Sequence, residues 1–176
     1  MFKALWLVLK HRWLDRSDTL RAIPDDMAER LAQRVTASEA RHTGEVRLCV
    51  EAALPSSYAW RGDRAEALPA LVRERAMSWF GRLGVWDTEH NNGVLIYLLL
   101  GERAIEVVAD RGLTQRVGTA QWQAMVDRLS LRLRDGAFED GLTEALAEVS
   151  ALLVAHFPLE PGASRANELN NAVVRA

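Results

Sequence analysis

Apolar residues along this chain recur with two different periods. In four segments they are three or four residues apart, which is the spacing of an amphipathic helix. In three shorter segments they alternate with polar residues or run without interruption, which is typical of strands. The predicted elements are, in order, helix 24–41, strand 46–53, helix 67–83, strand 94–100, strand 105–109, and two helices over TAQWQAMVDRLSLRLRDG and FEDGLTEALAEVSALLVAHF.

The order of these elements predicts how the strands pair. A helix separates strand 46–53 from strand 94–100, so we expect a right-handed crossover and a parallel pair. The short link containing Gly101 predicts an antiparallel hairpin between 94–100 and 105–109. Strand 46–53 alternates in polarity, so we expect one of its faces to be less buried. The pattern therefore predicts an α/β fold with a small mixed sheet that carries helices on its faces.

A length of 176 residues fits one domain with a short extension at each end. We expect an amphipathic extension over residues 1–20, an α/β domain over 21–158 and a flexible tail over 159–176. The apolar run 4–9 is too short for a signal peptide or a transmembrane helix, which predicts a cytoplasmic protein that is peripheral at most. Residues 1–16 interleave tryptophans with basic residues. They predict a helix that docks on its own domain, a protein partner or a membrane surface.

Composition excludes several kinds of chemistry. The chain has 22 basic and 24 acidic residues, so no charge excess points to nucleic acid as a partner. Cys49 is the one cysteine, which excludes an intrachain disulfide and a cysteine-rich metal site and favours a small buried residue. The lysines, Lys3 and Lys10, both lie in the N-terminal extension, so the core offers none for Schiff-base or phosphate chemistry.

Three polar clusters should meet at one edge of the predicted sheet. Parallel strands share their starting ends, and the hairpin returns the chain to the same edge. Carboxylates and amides are the ligands of a hard cation, calcium or magnesium, whereas zinc favours more histidine or cysteine. The clusters are Glu39, His42 and Glu45; residues 87–92; and Asp110 with Arg111.

The candidate oxygen donors to a divalent cation are Asp87, Glu89, Asn92 and Asp110. The residues expected around them are His42, Glu45, His90 and Asn91. Each signal also has a simpler reading. Residues 91–93 have the chemistry of a turn, the acid and arginine at 110–111 are typical of a surface ion pair, and each histidine is typical of a buried, hydrogen-bonded one.

Residues 39–157 resemble the TPM domain, particularly its short bacterial form. The resemblance lies in EARHTGEVRLCVE, in RERAMSWFGRLGVWDTEHNNGVLIYLLL, in IEVVADRG and in FEDGLTEAL followed by HFP. Its most diagnostic part is Asn92 and Gly93 before the apolar strand, together with the DRG after the hairpin. The resemblance implies an α/β/α sandwich around a small sheet, in agreement with the periodicity.

The resemblance also implies several functions. Family members are associated with acid phosphatase activity, with divalent-metal binding or with accessory roles at membranes. Three hypotheses follow: a cation-binding accessory module, a metal-assisted phosphatase and a partner of a membrane or membrane protein. For the phosphatase, Asp87 or Asp110 would act as base and Arg111 would stabilise the phosphoryl group. The cation-binding module is favoured, because the sequence offers no clearly positioned nucleophile.

Overall fold

The structure is a computed structural model that describes residues 9–59, 61, 67–160, 162 and 167–176. Residues 9–12 are helical. The elements that follow are α1 (Arg16–Ala22), α2 (Asp25–Glu39), β1 (Val46–Glu51), α3 (Ser56–Ala59), α4 (Ala67–Arg82), β2 (Val94–Leu99), a 3₁₀ turn (Leu100–Glu102), β3 (Ala104–Ala109), α5 (Arg111–Thr114), α6 (Thr119–Arg134), α7 (Phe138–His156) and β4 (Val174–Arg175).

The four strands form one mixed sheet in the order β3-β2-β1-β4. β1 and β2 are parallel, with Val46 opposite Val94, which confirms the predicted crossover pair. β2 and β3 are antiparallel, with Val94 opposite Ala109, which confirms the predicted hairpin. The start of β1, the start of β2 and the end of β3 therefore lie along one rim of the sheet.

Helices cover both faces of this sheet. One face packs against α2, α6 and α7 and includes Val46, Leu48 and Val50 of β1. The other face packs against α4 through Leu95 and Tyr97 of β2. The α/β/α sandwich predicted from the sequence is thus confirmed.

The polar face of β1 is buried, which corrects the expectation of a less buried side. All six residues of β1 are buried, including Arg47 and Glu51. Arg75 of α4 forms an ion pair with Glu51 at 2.5 Å, while Trp79 and Tyr97 each donate a hydrogen bond to the same carboxylate. A buried charge is tolerated when it is paired and hydrogen-bonded in this way. Burial and the charge of Glu51 raise the pKa of the Tyr97 phenol, which keeps it a donor.

Part of the N-terminal segment docks on the domain. The ring of His11 accepts a hydrogen bond from the amide of Leu54 at Nδ1, so Nε2 carries the proton and donates to Glu102 at 2.9 Å. Lys10 pairs with the same glutamate. Helix α1 crosses the boundary at residue 20, and its Thr19 is fully buried. Residues 1–8 of the predicted amphipathic helix lie outside the described residues.

The C-terminal residues belong to the sheet rather than to a loose tail. β4 pairs in parallel with β1, with Cys49 opposite Val174, and the amide of Ala176 donates to the carbonyl of Val50 at 2.9 Å. The guanidinium of Arg175 reaches the carbonyl of Ile23 at 3.0 Å. The free edge of β1 supplies these hydrogen-bond partners, so a two-residue strand can form without an apolar pattern of its own.

Cys49 is fully buried, and burial raises the pKa of its thiol, as expected of a small core residue. Within the described part of the chain, no helix has the length and apolarity needed to cross a bilayer.

Candidate functional site

Backbone hydrogen bonds bring the predicted clusters to the rim of the sheet. The amide of Val94 donates to the carbonyl of Glu45 at 2.8 Å. The amide of Asp110 donates to the carbonyl of Gly93, and the amide of Gly112 donates to that of Asn91, both at 2.9 Å. The loop at 87–92 and the end of β3 therefore meet directly. The segment before β1 joins them through the start of β2.

Two glycines allow this close approach. A Cβ built at residue 93 would lie 1.9 Å from the carbonyl oxygen of Val85, and one at residue 112 would lie 2.5 Å from the carbonyl oxygen of Asn91. Atoms cannot come so close, so both positions require glycine unless the backbone moves. Asn91 has a φ of 52°, the left-handed conformation that asparagine tolerates. The turn chemistry expected of residues 91–93 therefore accounts for their backbone conformation.

Asn92 is fully buried at the centre of the rim. Its amide N–H donates to Thr88 Oγ1 and its side-chain Nδ2 donates to Thr43 Oγ1, both at 3.1 Å. Its Oδ1 is buried and has no hydrogen-bond partner. A buried carbonyl without a partner lowers the stability of the fold by about 1–3 kcal/mol. A ligand that bonded to this oxygen would remove that penalty.

Asp110 contributes a second oxygen of the same kind. Its Oδ1 accepts the amide N–H of Arg111 at 2.6 Å and so caps α5, whereas its Oδ2 is buried and has no partner. The side chain of Arg111 turns to Asn91, with Nε 3.3 Å from Oδ1. No salt bridge joins Arg111 to Asp110 among the described residues, so the surface ion pair considered from the sequence is absent. One carboxylate oxygen of Asp110 remains for a ligand.

The remaining members of the 87–92 loop lie further out. Asp87, Glu89 and His90 are exposed. The amide of Glu89 donates to the Glu168 carboxylate at 3.1 Å, a contact with the C-terminal segment that no feature of the sequence indicated. Across the described residues, no three histidine, cysteine, aspartate or glutamate side chains are grouped as a metal site. Asp87 and Glu89 thus do not form a preformed cluster with Asp110.

His42, Glu39 and Glu45 form a buried group behind the rim. His42 Nδ1 donates to the carbonyl of Gly44 at 3.1 Å, and Nε2 accepts from Ser38 at 3.0 Å. Glu39 accepts the amide of Val46 at 3.0 Å, and Glu45 accepts that of Glu168 at the same distance. Both ring nitrogens of His42 are therefore engaged, and the two acids fix the start of β1 and the C-terminal segment.

The rim thus presents one carboxylate oxygen and one amide oxygen, both buried and without hydrogen-bond partners. Such a pair can accept hydrogen bonds or coordinate a hard cation. Both are on neighbouring strand ends held by the Asp110–Gly93 backbone bond. The hydroxyl of Ser38 donates to His42 Nε2, but both side chains are buried behind the rim, at 3% and 0% exposure.

Comparisons with known proteins show which family this chain belongs to. The family model of the TPM domain matches residues 17–152. The NMR structure of the BA42 protein from the psychrophilic bacterium Bizionia argentinensis is similar, with a TM-score of 0.70 and 22% identity over 88% of this chain and 95% of that one. At that identity the likeness shows a shared fold. Comparison with curated proteins gives no match. From the family match, we conclude that this chain belongs to the TPM domain family.

Proposed function

We propose that this protein is a TPM-domain accessory module that binds a divalent cation at the sheet rim through Asn92 and Asp110. The observation that carries the proposal is the pair of buried oxygens, Oδ1 of Asn92 and Oδ2 of Asp110, which lack hydrogen-bond partners. Burying such atoms without partners is costly, and a cation would offset that cost. The bound cation would hold the end of β3 against the 87–92 loop.

Oxygen ligands favour magnesium or calcium, and the two ions make different demands on the loop. Magnesium commonly uses one or two carboxylates and keeps several waters. Asp110 and Asn92 would supply one carboxylate and one amide oxygen, and the loop at 87–92 would open to admit the ion, because both oxygens are buried. Calcium takes six to eight oxygens, so it would also recruit the exposed carboxylates of Asp87 and Glu89, directly or through water. His90 and Asn91 would then lie beside the ion without coordinating it.

Thermal unfolding with added magnesium or calcium tests the proposal. A cation that binds only the native state raises its stability, by about 2.7 kcal/mol at one hundred times the Kd. We expect both ions to raise the Tm of the wild type at millimolar concentration. Asp110→Asn should abolish the increase, because it removes the charge but keeps a good helix cap.

The control is Asp135→Asn, which removes an exposed carboxylate at the far end of α6. Its metal-dependent increase in Tm should match that of the wild type. The double variant Asp87→Asn, Glu89→Gln should weaken calcium binding more than magnesium binding. An unchanged Tm for the wild type in both ions would refute the proposal.

Phosphomonoester hydrolysis is the alternative function. In that reading Asp87 or Asp110 is the base and Arg111 stabilises the phosphoryl group. The rim supports it less well, because one oxygen of Asp110 caps α5 and Arg111 lies against Asn91. Asp110→Asn should abolish hydrolysis of a generic phosphomonoester if this reading is correct. Equal turnover by both proteins would exclude the rim as its source.

A surface role for the N-terminal segment is supported by two exposed residues. In this segment Trp13 is 84% exposed and Leu9 is 48% exposed. Basic residues flank both, and this combination is typical of segments that lie on anionic bilayers. The double variant Leu9→Ser, Trp13→Ser should float less well with anionic liposomes than the wild type. It keeps the His11 contacts, so equal flotation would exclude these residues as the membrane contact.

A further inference from the structure

A cleft lies along the outer edge of β3, at the opposite edge of the sheet from β4. β3 is the last strand of the sheet at this side in the described part of the chain. The cleft encloses about 380 Å³, within the range of small-ligand and peptide pockets. α4 borders it on one face of the sheet and α6 on the other. Its lining includes Arg73, Glu106, Val107, Trp122, Gln123 and Val126.

The register of β3 determines which backbone groups face the cleft. The amide of Asp110 bonds to the carbonyl of Gly93, just before β2, so in an antiparallel ladder the alternate residues Ile105, Val107 and Ala109 direct their N–H and C=O groups outward. The contact of Arg73 agrees with this assignment. Its Nη1 donates to the carbonyl of Val107 at 2.7 Å. A side chain thus occupies a position that a neighbouring strand's amide would fill.

Trp122 supplies an unused donor on the opposite wall. Its Nε1 is buried and has no acceptor, although the indole lines the cleft. Val117 and Val126 provide an apolar surface beside it. Arg73 also pairs with Glu106 at 3.2 Å, so the charges in the cleft are balanced. The cleft therefore has no excess of charge to select a small anion or cation.

We propose that this cleft binds an extended peptide segment, which adds to the outer edge of β3 as a further strand. A peptide amide replaces Arg73 as the donor to the carbonyl of Val107. The indole of Trp122 turns to bring its buried N–H to the cleft, where a peptide carbonyl accepts it, and an aliphatic side chain of the segment packs on Val126. A peptide main chain carries both donors and acceptors. It can therefore donate to the Val107 carbonyl and accept from the Trp122 N–H.

The shape of the cleft favours a bare strand over a second folded copy of this chain. α4 and α6 flank the edge on both faces, so a strand that carries its own helices would collide with them. The side chain of Arg73 is 46% exposed and can swing into solvent when the peptide enters. The proposal is independent of cation binding at the rim.

Selection from a library of random, end-capped heptapeptides on the folded wild-type protein tests this proposal. We expect selected peptides to shift the NMR amide signals of Ile105, Val107 and Ala109 and to slow their hydrogen exchange. Trp122→Phe keeps the ring but removes the donor, and it should weaken binding about tenfold, the effect of one lost hydrogen bond to a buried group. Trp86→Phe is the control, since Trp86 is 56% exposed outside the cleft.

Methylating single peptide amides then identifies the main-chain contact. Methylation at the position that faces Val107 should abolish binding, whereas methylation at the next position should not, since alternate amides point away from β3. The proposal is overturned if no peptide is selected, if the shifts fall elsewhere, or if Trp122→Phe binds as tightly as the wild type. Saturable binding of small polar molecules to the cleft, with no peptide selected, would likewise overturn it.

Discussion

The carbonyl oxygen of Val85 occupies the space where a side chain at Gly93 would begin, since a Cβ built there would be 1.9 Å away. Gly93 precedes β2 and accepts the amide of Asp110, so this contact sets the position of the rim. Gly93→Ala should destabilise the fold by about 3 kcal/mol, because the buried Val85 backbone must move. Urea denaturation followed by circular dichroism measures this change.

Gly81 provides a matched control in the neighbouring helix α4. A Cβ at this position meets nothing within 4 Å. Gly81→Ala should leave the free energy of unfolding unchanged or raise it by about 0.5–1 kcal/mol, because alanine is the better helix former. Equal losses in the two variants would contradict the steric explanation for Gly93.

The buried Glu51 network gives a second prediction. The carboxylate accepts hydrogen bonds from Arg75, Trp79 and Tyr97 and is 5% exposed. Glu51→Gln leaves Arg75 buried without its counter-charge, and such a loss costs roughly 3–5 kcal/mol. Glu74→Gln removes the half-exposed pair with Arg61 and should cost far less, because water screens a surface ion pair. Similar losses of stability in the two variants would show that the Glu51–Arg75 pair contributes no more than a surface ion pair.

Much of the fold follows from local pattern, and the parts that do not follow have identifiable causes. The continuous apolar run of β2 and the helix before it suffice to predict a parallel pair with β1. The burial of the Glu51 face depends on Arg75, which is 24 residues away and on another element. β4 has two residues and follows a polar segment, so no periodicity marks it. Its pairing depends on the open edge of β1.

The candidate site divides in the same way. Topology predicted that the loop at 87–92 and Asp110 would meet, and backbone hydrogen bonds join them. The sequence could not distinguish the buried oxygens of Asn92 and Asp110 from the exposed carboxylates of Asp87 and Glu89, because accessibility depends on the surrounding packing. Glu168 reaches the loop from the far end of the chain, and neither its spacing nor its neighbours indicated this contact.

The ion pairs of Glu139 with Arg30 and Arg34 predict that the stability of the fold depends on pH. Hydrogen bonds from Arg30 and Arg34 lower the pKa of Glu139 to about 2. A carboxyl whose pKa is lower in the folded state stabilises the fold above its unfolded pKa of 4.5, and this contribution is lost as the pH falls toward 2. Glu139→Gln should therefore have a lower Tm than the wild type at pH 7, and the difference should vanish near pH 2.

Tm values measured from pH 7 to pH 2 check this prediction. Glu144→Gln is the control, because Glu144 pairs with Arg132 through a single 3.2 Å contact on the surface. The Tm difference between that variant and the wild type should be small at every pH. A Glu139→Gln difference that stayed constant down to pH 2 would contradict the role of its ionised carboxylate.

The most direct test of the central claim is a crystal structure grown with Mn²⁺, which has an anomalous signal and substitutes for magnesium at oxygen sites. We expect one anomalous peak at the rim, about 2.0–2.6 Å from Oδ1 of Asn92 and from Oδ2 of Asp110. A map with no peak at the rim, or with Mn²⁺ bound only elsewhere on the protein, would contradict it.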